Sequence, residues 1–362
     1  MHRVGDGVVA VVGSARRPAG DTTVDSLPCG YAPSRRPASG VIRTGSSVTG
    51  RFHGRRAIVT GASRGIGAAV ARRLAADGAD VALVARTVEP AEALPGSLLE
   101  TARQVEAHGR RAVVVVADLS DEADRARVVP EAVEGLGGGV DVLVNNAAAA
   151  IYEPLLQMST KRRRILFELN LHAPSDLARD AAPAMVDRGE GWIVNVSSGA
   201  ARSWAGPPYE LGHLGSTIAT YGASKAALNR ITNGLAAELH GTGVRVNAVA
   251  PRAAVLSEGA DALVGDALGA DQVEPMEAMV EAVVALCGCD PETTGLQAVS
   301  LDLLDDWGLE VRDLDGRVPG GSPPTAGPDP TTQDSSGPGS LGSGSLGPDQ
   351  KDSLGPDHKE ER

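Results

Sequence analysis

The chain of 362 residues is long enough for one large or two small domains, and its 46 Asp and Glu residues outnumber its 34 Lys and Arg residues. The net charge of -12 argues against a nucleic-acid or membrane-surface partner, because both would need a basic face. No window approaches the roughly 18 uninterrupted apolar residues of a membrane-spanning helix. The 3 cysteines cannot form a disulfide framework, and Cys287-Gly288-Cys289 lacks the second ligand pair of a zinc site. We therefore predict a cytoplasmic protein without a metal centre.

The two ends of the chain differ in composition from its middle. Residues 1–51 are rich in Gly, Ser, Pro and Arg and show little periodicity, so we expect them to be disordered or to result from a misassigned translation start. Residues 317–362 are rich in Pro, Gly, Ser and Asp and repeat Ser-Leu-Gly-Pro-Asp at 345–349 and 353–357. Such a composition cannot bury enough apolar surface to offset chain entropy. We predict a disordered tail after a folded domain at 52–316.

Within that domain, short β-branched runs alternate with helical stretches. The predicted strands are Ala57–Thr60, Val81–Ala85, Ala112–Ala117, Val140–Asn145, Trp192–Ser197, Val244–Ala250 and, more weakly, Ala298–Leu301. The predicted helices include Ile66–Ala76, Glu122–Glu134, Lys161–Val186 and Ser224–Leu239. Alternating strands and helices predict an α/β fold: a single doubly wound domain whose parallel sheet of about seven strands is covered by helices on both faces.

A glycine-rich loop follows the first predicted strand and opens the first predicted helix. Glycines let the backbone approach a pyrophosphate, and the helix N-terminus supplies unpaired N–H groups. The Gly-x-x-x-Gly-x-Gly spacing differs from the general dinucleotide fingerprint, and alone it is equally typical of a tight strand–helix turn. The cofactor-binding candidates in this loop are Gly61, Ser63, Arg64, Gly65, Ile66 and Gly67.

The turn after the second strand bears on the choice of cofactor. It reads Val84-Ala85-Arg86-Thr87 and lacks a carboxylate that would bind the ribose 2′-hydroxyl of NAD. Arg86, together with Arg64 in the glycine-rich loop, offers two guanidinium groups suited to a 2′-phosphate. The pattern favours NADP, with NAD as the alternative. Both arginines could equally be solvated surface residues.

Polar residues follow the third and fourth strands. Asp118, which precedes Leu119, could accept a hydrogen bond from the adenine amino group or only cap the following helix. Asn145, in Asn145-Asn146-Ala147, ends the fourth strand, and ligands of such sheets bind outside the carboxyl ends of the strands. This asparagine pair could hold the loop or the ribose, or only satisfy the turn backbone. The cofactor candidates here are Asp118, Leu119, Asn145 and Ala147.

The most informative pattern is Tyr221-Gly222-Ala223-Ser224-Lys225. Tyr221 and Lys225 lie four residues apart and should share one face of a helix. There an ammonium group can stabilise the ionised phenol. For proton transfer at neutral pH the pKa of the phenol must fall from about 10 to about 7, which corresponds to a free energy of about 4 kcal/mol. The positive ring of an oxidised nicotinamide could contribute. Alternatively, the pair is a half-buried aromatic beside a solvated lysine.

Together these residues resemble the classical short-chain dehydrogenase/reductase (SDR) family over about residues 52–311. The ordered set that carries the resemblance comprises Thr60 to Gly67, Asp118, Asn145-Asn146-Ala147, Asn170, Ser197-Ser198 and Tyr221/Lys225. The resemblance implies a Rossmann-type domain and NADP(H)-dependent interconversion of a carbonyl and a secondary alcohol by hydride transfer. It also implies a homodimer or homotetramer, formed through the two long helices that carry Asn170 and Tyr221.

The resemblance further implies four catalytic roles. Tyr221 would be the general acid in reduction and the base in oxidation. Lys225 would lower its pKa and bind the nicotinamide ribose, so both residues also count as cofactor contacts. Ser198 would hydrogen-bond the substrate carbonyl, and Asn170 would hold a water that links Lys225 to solvent. Each residue alone also has a purely structural interpretation. Tyr221 could be a core aromatic and Lys225 a lysine on the helix surface. Ser198 could belong to a turn at the end of a strand, and Asn170 could mark a helix irregularity.

Three features depart from the family pattern. Ala148 stands where the family usually has Gly. After the sixth strand the family usually has Pro-Gly, whereas this chain has Pro251-Arg252. Arg252 could contact cofactor phosphates or an anionic substrate, or point to solvent. The third departure is an insert, Trp204–Glu210, which should lie over the substrate. Its aromatic residues favour a medium or bulky lipophilic substrate. Alternatively, the insert packs on itself at the surface. These departures keep a rival hypothesis open: a catalytically silent dinucleotide-binding regulator, or pseudoenzyme.

Overall fold

A computed structural model describes residues 50–90, 95–209, 215–258 and 272–319 of the chain. Within these ranges, 7 parallel strands form one sheet in the order β3-β2-β1-β4-β5-β6-β7. Their bounds are β1 Arg56–Thr60, β2 Asp80–Ala85, β3 Ala112–Val116, β4 Val142–Asn145, β5 Gly191–Val196, β6 Val244–Ala250 and β7 Gln297–Val299. The strand order reverses between β1 and β4, which places the expected ligand cleft at their carboxyl ends. The predicted doubly wound α/β fold is confirmed.

Helices pack on both faces of this sheet. They are α1 Gly65–Ala76, α2 Leu98–Ala107, α3 Glu122–Leu136, α4 Thr160–Phe167, α5 Ala173–Arg188, α6 Ala219–Glu238, α7 Met276–Leu286 and α8 Ser300–Trp307. One buried cluster joins the sheet to α1, α2, α7 and α8, and another joins it to α3, α5 and α6. Among the described residues, no helix is long and apolar enough to cross a bilayer.

Several elements differ from their predicted bounds. The helix α7 was not predicted because residues 278–286 are all buried, so the sequence carries no amphipathic period there. Neither α2 nor α8 was predicted either. The last strand ends at Val299 rather than Leu301, because Ser300 begins α8. The predicted helix Ser224–Leu239 begins earlier, at Ala219, so Tyr221 lies in its first turn.

The predicted helix Lys161–Val186 is divided into α4 and α5 by a π-helical turn at Glu168–His172. Asn170 lies in this turn and is 1% exposed. Single π-helical turns interrupt the regular spacing of side chains on a helix. The predicted disordered ends lie outside the described residues, except for 50–51 and 317–319. The proposed limits of the folded domain therefore stay predictions.

Candidate active site

The glycine-rich loop connects β1 to α1 and requires glycine at several positions. Gly61 and Gly65 have φ values of 67° and 57°, where other L residues are strained. A Cβ on Gly61 would lie 2.9 Å from the Ala147 Cα, and a Cβ on Gly67 would lie 2.3 Å from the Gly61 carbonyl oxygen. The loop can therefore lie close to both α1 and the turn after β4, with its backbone facing the cleft.

The glycine-rich loop borders a cleft that lies at the carboxyl ends of β1 to β4 and has a volume of about 310 Å³. It brings together most of the predicted cofactor-binding residues, namely Gly61, Ser63, Arg64, Gly65, Ile66, Arg86, Asp118, Leu119 and Ala147. Four predicted residues do not line it. Gly67 lies behind the loop, where it permits the close approach just described, Asn145 is directed into the sheet, and Tyr221 and Lys225 lie beyond its inner end. Asn146, the second member of the predicted asparagine pair, lines the cleft instead of Asn145.

The two adjacent asparagines have different environments. Asn145 is 5% exposed and donates from its side chain to the Asn195 side-chain oxygen at 2.9 Å, between β4 and β5. A side-chain contact between Asn145 and a cofactor is therefore not supported. Asn146 donates from its side chain to the Thr60 carbonyl at 2.9 Å and so holds the glycine-rich loop against β4. The pair was visible in the sequence, but only its orientation in the sheet distinguishes the two members.

Charged groups border the outer part of the cleft. Arg86 is exposed, and its Nη1 lies 3.5 Å from the Asp118 carboxylate. Partial desolvation raises the pKa of Asp118, but hydrogen bonds from Ser120 and the charge of Arg86 outweigh it, so that this pKa is lowered. Asp121 rather than Asp118 caps α3. The Arg64 guanidinium donates to the carbonyls of Pro95 and Gly96 at 2.8 and 2.9 Å, so part of its hydrogen-bonding capacity is used within the chain.

Tyr221 and Ser198 meet beyond the inner end of the cleft. Tyr221 projects from the first turn of α6, and Ser198 follows β5. The serine hydroxyl lies close enough to the phenol to affect its ionisation. Desolvation raises the pKa of Tyr221 to about 12, although the neighbouring Ser198 hydroxyl lowers it. Without a bound cofactor the phenol therefore keeps its proton at neutral pH, in contrast to the lowered pKa that the Tyr/Lys spacing predicts.

Lys225 lies one helical turn after Tyr221 and is 2% exposed. Its Nζ donates to the Val196 carbonyl at the end of β5, at 2.8 Å. Burial lowers the pKa of Lys225 to about 8. The lysine is thus a buried cation held against the sheet, ruling out the alternative that it lies on a solvated helix face.

Asn170 uses its whole side chain to hold two neighbouring segments. Its amide group donates to the Ala149 carbonyl and to the Ser224 hydroxyl, both at 2.9 Å, and its oxygen accepts from the Ala149 N–H at 2.8 Å. These bonds connect the π-helical turn to the segment after β4 and to the residue that precedes Lys225. Asn170 therefore lies next to the other predicted catalytic residues, where it positions the backbone around them.

Comparison with known proteins decides the family. The family model described as "short chain dehydrogenase" matches residues 55–261, more than half of the chain. The chain belongs to the short-chain dehydrogenase family. The predicted resemblance to this family is confirmed.

Named relatives of this short-chain dehydrogenase include "Hydroxysteroid dehydrogenase-like protein 2" of Danio rerio, 33% identical over 278 residues. The match covers 75% of this chain and 63% of the relative, so this chain spans less than two thirds of that protein. A putative short-chain alcohol dehydrogenase from Sinorhizobium meliloti is 34% identical with a TM-score of 0.57, over 68% of this chain and 95% of that one. A putative NAD(P) dependent gluconate 5-dehydrogenase from Beutenbergia cavernae, solved with bound NADP, is 33% identical with a TM-score of 0.58, over 70% and 97%.

Tyr152 is a site residue of this short-chain dehydrogenase that the sequence did not reveal. Its ring meets the Tyr221 ring edge-on, with centroids 5.6 Å apart and an interplanar angle of 76°. Burial raises the pKa of Tyr152. The next residue, Glu153, donates from its backbone to the Thr217 carbonyl at 2.9 Å, which ties this segment to the start of α6. No motif marks Tyr152, because its approach to Tyr221 depends on the path of the chain after β4.

The departures from the family pattern have distinct environments. Ala148 lines the cofactor cleft. Arg252 donates from its backbone N–H to the Glu274 carboxylate at 2.8 Å, and its guanidinium pairs with Asp302. This ion pair provides a local partner for Arg252, in place of the predicted phosphate contact or free solvation. In the insert, Trp204 and Tyr209 are 38% and 60% exposed, and residue 210 lies outside the described residues.

Proposed function

We propose that this short-chain dehydrogenase interconverts a carbonyl and a secondary alcohol with NADP(H), through Tyr221, Lys225, Ser198 and Asn170. The observation that carries the proposal is the proximity of the Tyr221 phenol to the Ser198 hydroxyl, beside a buried Lys225 and a glycine-lined cleft. A proton donor is thereby held next to the place where a hydride carrier fits. Proximity of this kind is a large part of catalysis.

The cleft suits a dinucleotide because of its backbone. The positive φ angles of Gly61 and Gly65 bring the loop backbone to the cleft, where a pyrophosphate would bind at the N-terminus of α1 once it displaces the Glu258 carboxylate from the Gly65 N–H. Asp118 and Leu119 would border the adenine, Ala147 would border the ribose-linked part, and Tyr221 and Lys225 would bind the nicotinamide ribose. The bound dinucleotide supplies or accepts the hydride.

Tyr221 would move the proton. In carbonyl reduction the protonated phenol donates to the substrate oxygen, and the raised pKa of about 12 keeps that proton available at neutral pH. Ser198 would orient the same oxygen through its hydroxyl. In alcohol oxidation the phenol must instead ionise, which requires positive charge nearby; Lys225 and the oxidised nicotinamide ring carry that charge. Both N–H donors of the Asn170 side chain are already used, so a relay water would bind to an acceptor, such as the main-chain carbonyl or the second lone pair of the amide oxygen.

A medium or bulky lipophilic substrate is our proposal for the reacting molecule. Tyr152 beside Tyr221 and the exposed aromatics of the insert support an apolar wall around the substrate. The relatives named hydroxysteroid dehydrogenase-like proteins point in the same direction. The test is NADPH consumption against aldehydes, aliphatic ketones, quinones and steroid ketones, followed by alcohols with NADP. Turnover of a bulky ketone is the expected result. Cofactor binding without turnover in either direction would favour the regulator hypothesis, which the residues at 148 and 252 motivate.

Arg86→Asp is expected to weaken NADPH binding by about 10- to 100-fold, because a charge-assisted bond to a phosphate is worth about 1.5–3 kcal/mol. NADH lacks the 2′-phosphate, so its binding should fall much less. Arg86 can reach a phosphate because its side chain is 69% exposed and only the 3.5 Å contact with Asp118 restrains it. Both affinities can be measured by fluorescence titration. Arg103→Asp, at an exposed arginine of α2, controls for the change in net charge. Equal losses for NADPH and NADH would show that Arg86 does not contact the 2′-phosphate.

Glu258→Gln is expected to tighten cofactor binding. The Glu258 carboxylate accepts from the Gly65 N–H at 2.9 Å, at the helix N-terminus where a phosphate would bind. An anion at such a position is worth about 0.3–1 kcal/mol, so removing the competing charge should lower the NADPH Kd by about two- to five-fold. Glu106→Gln, an exposed glutamate of α2, is the matched control. An unchanged or higher Kd for Glu258→Gln alone would contradict the competition.

We also propose a homodimer or homotetramer, formed through α5 and α6. A largely apolar groove of about 860 Å³ runs between these helices, with Ala182, Val186, Ile231 and Leu235 in its lining. Ile231 is 43% exposed. We expect sedimentation velocity to show an oligomer at micromolar concentration, and Ile231→Asp to shift it to the monomer because a charge would be buried at the contact. A monomer for the unmodified chain would exclude this assembly.

A further inference from the structure

A second cleft lies at the opposite edge of the sheet, where β1, β5 and β6 begin. It has a volume of about 420 Å³. We call it the arginine–tryptophan cleft after the five residues in its lining that matter here: Arg51, Arg55, Trp192, Arg245 and Trp307. Because Ser198 and Tyr221 lie beyond the other ends of the strands, roughly 20 Å separates the two clefts, about the length of a six-residue strand. The proposed oxidoreductase chemistry assigns nothing to this edge.

The cleft has an excess of positive charge. Arg55 is paired with Glu190 at 2.6 Å, but Arg51 and Arg245 have no carboxylate within salt-bridge distance among the described residues. Burial lowers the pKa of Arg51, although the nearby Asp77 and Glu281 oppose this effect. Both of those carboxylates already pair with another arginine, Arg73. Asp290 is the other acid in the lining.

Two buried N–H groups in the lining have no acceptor. Arg245 is 6% exposed, and its Nη1 donates to the Gly243 carbonyl at 2.7 Å. Its Nε has no hydrogen-bond partner within the described residues, and the same is true of Trp307 Nε1. Trp192 differs, because its Nε1 donates to the Cys289 carbonyl at 3.0 Å. A buried donor without an acceptor costs about 1–3 kcal/mol, so these two donors favour a small side-chain shift that admits an acceptor from the neighbouring cleft.

The aromatic rings hold the guanidinium groups in place. The Arg55 and Arg245 Cζ atoms lie 5.0 and 4.6 Å from the centre of the Trp192 ring. Arg51 lies in the same way over Phe52, at 5.4 Å. Stacking of this kind restricts the planes of the guanidinium groups and lowers the entropy lost when they bind a ligand. The cleft is therefore organised for oxygen acceptors before any ligand arrives.

We propose that the arginine–tryptophan cleft binds a small organic anion, whose carboxylate or phosphate oxygens accept hydrogen bonds from Arg245 Nε and Trp307 Nε1. The guanidinium charges stabilise the anionic group, and the partly exposed Trp307 ring offers apolar surface for the rest of the molecule. Inorganic phosphate could supply the same oxygens without the apolar part. The two sources differ in their expected affinity, since only the organic anion gains from the aromatic surface.

Intrinsic fluorescence offers a direct test. The chain has 3 tryptophans, so in a Trp204→Phe background only the two in this cleft report. That protein is titrated at low salt with benzoate, phenyl phosphate and inorganic phosphate. A saturable change with a Kd below about 1 mM is expected for at least one organic anion. Binding of inorganic phosphate as tight as that of phenyl phosphate would identify a free-oxyanion site and overturn the organic ligand. No saturable change up to about 10 mM with any probe would overturn the site itself.

Variants then test the two donors. Trp307→Phe keeps an aromatic ring and removes the N–H, and Arg245→Lys keeps the charge and removes Nε; each is expected to weaken binding by about tenfold or more. Arg103→Gln, at an exposed position on α2, should leave the Kd unchanged. Undiminished binding in Trp307→Phe would contradict the assigned contact. Should Arg245→Lys fail to fold, the Trp307 indole N–H resonance gives the second readout: a downfield shift on binding supports the hydrogen bond, and an unmoved resonance excludes it.

Discussion

Tyr221→Phe is expected to lower carbonyl turnover by about 100- to 10,000-fold, the usual contribution of a positioned general acid. The variant loses only the hydroxyl group that lies beside Ser198. The ring still packs edge-on against Tyr152. NADPH binding should therefore change little, because the glycine-rich loop and Lys225 are untouched. The measurement is the kcat of NADPH oxidation with the best ketone of the panel, together with the NADPH Kd.

Tyr209→Phe is the matched control, since Tyr209 lies in the insert and has no lysine four residues later. Its kcat should stay close to that of the unmodified enzyme. Turnover that survives in Tyr221→Phe would remove this residue from the proton path. Loss of both turnover and NADPH binding would instead indicate damage to the fold around α6.

Lys225→Met is expected to give an inactive protein that is more stable at neutral pH. Burial lowers the pKa of Lys225 from 10.5 to about 8, a difference that corresponds to about 3 kcal/mol of destabilisation while the folded-state amine is protonated. Methionine fills a similar volume without this cost. It loses the bond to the Val196 carbonyl, worth about 1 kcal/mol, so we expect a net gain of about 2 kcal/mol at pH 7.

The pH dependence distinguishes this cause from a packing effect. Between about pH 8 and 10.5 the unfolded chain binds the lysine proton and the folded chain does not, so the stability of the unmodified protein rises with pH in that window. Lys225→Met lacks that rise, and its advantage should vanish by about pH 10.5. Above about pH 10 both proteins lose stability, because Tyr221 stays protonated up to about pH 12 only in the folded state.

Urea unfolding at pH 7, 9 and 10.5 would measure this effect, with Lys161→Met at an exposed position of α4 as the control. A stability gain that is the same at every pH would show that improved packing, and not the buried charge, is responsible. A variant that is both less stable and inactive would mean that the Lys225–Val196 contact outweighs the desolvation of the ammonium group.

Local patterns in the sequence predicted much of the site. The Tyr221/Lys225 spacing places both residues on one helical face, and both do lie on α6. The glycine-rich loop follows a β-branched run and opens a helix, and this context could be recognised within about ten residues of sequence. Helical and strand periods are short-range, so most strands and several helices could be predicted from them, although α2 and α8 were missed. The apolar α7 has no such period and was not predicted.

Other features depend on contacts between distant parts of the chain. The sequence contained both Asn145 and Asn146, but only the pairing of β4 with β5 turns Asn145 inward towards Asn195. The sequence contained Asn170, but only the path of the chain after β4 brings Ala149 to its side chain. Arg64 meets the carbonyls of Pro95 and Gly96, roughly 30 residues later, in a segment that carries no motif.

The sequence by itself determined the family, the doubly wound α/β fold and the identity of the proton-transfer candidates, because each follows from residues close together in the chain or from an ordered set of motifs. Only the tertiary structure decided the environments that set their properties. Burial raises the pKa of Tyr221 and lowers that of Lys225, in each case because the charged form loses water. The arginine–tryptophan cleft likewise exists only after folding, since the sheet brings Arg51, Trp192 and Arg245 to one edge from positions far apart in the sequence.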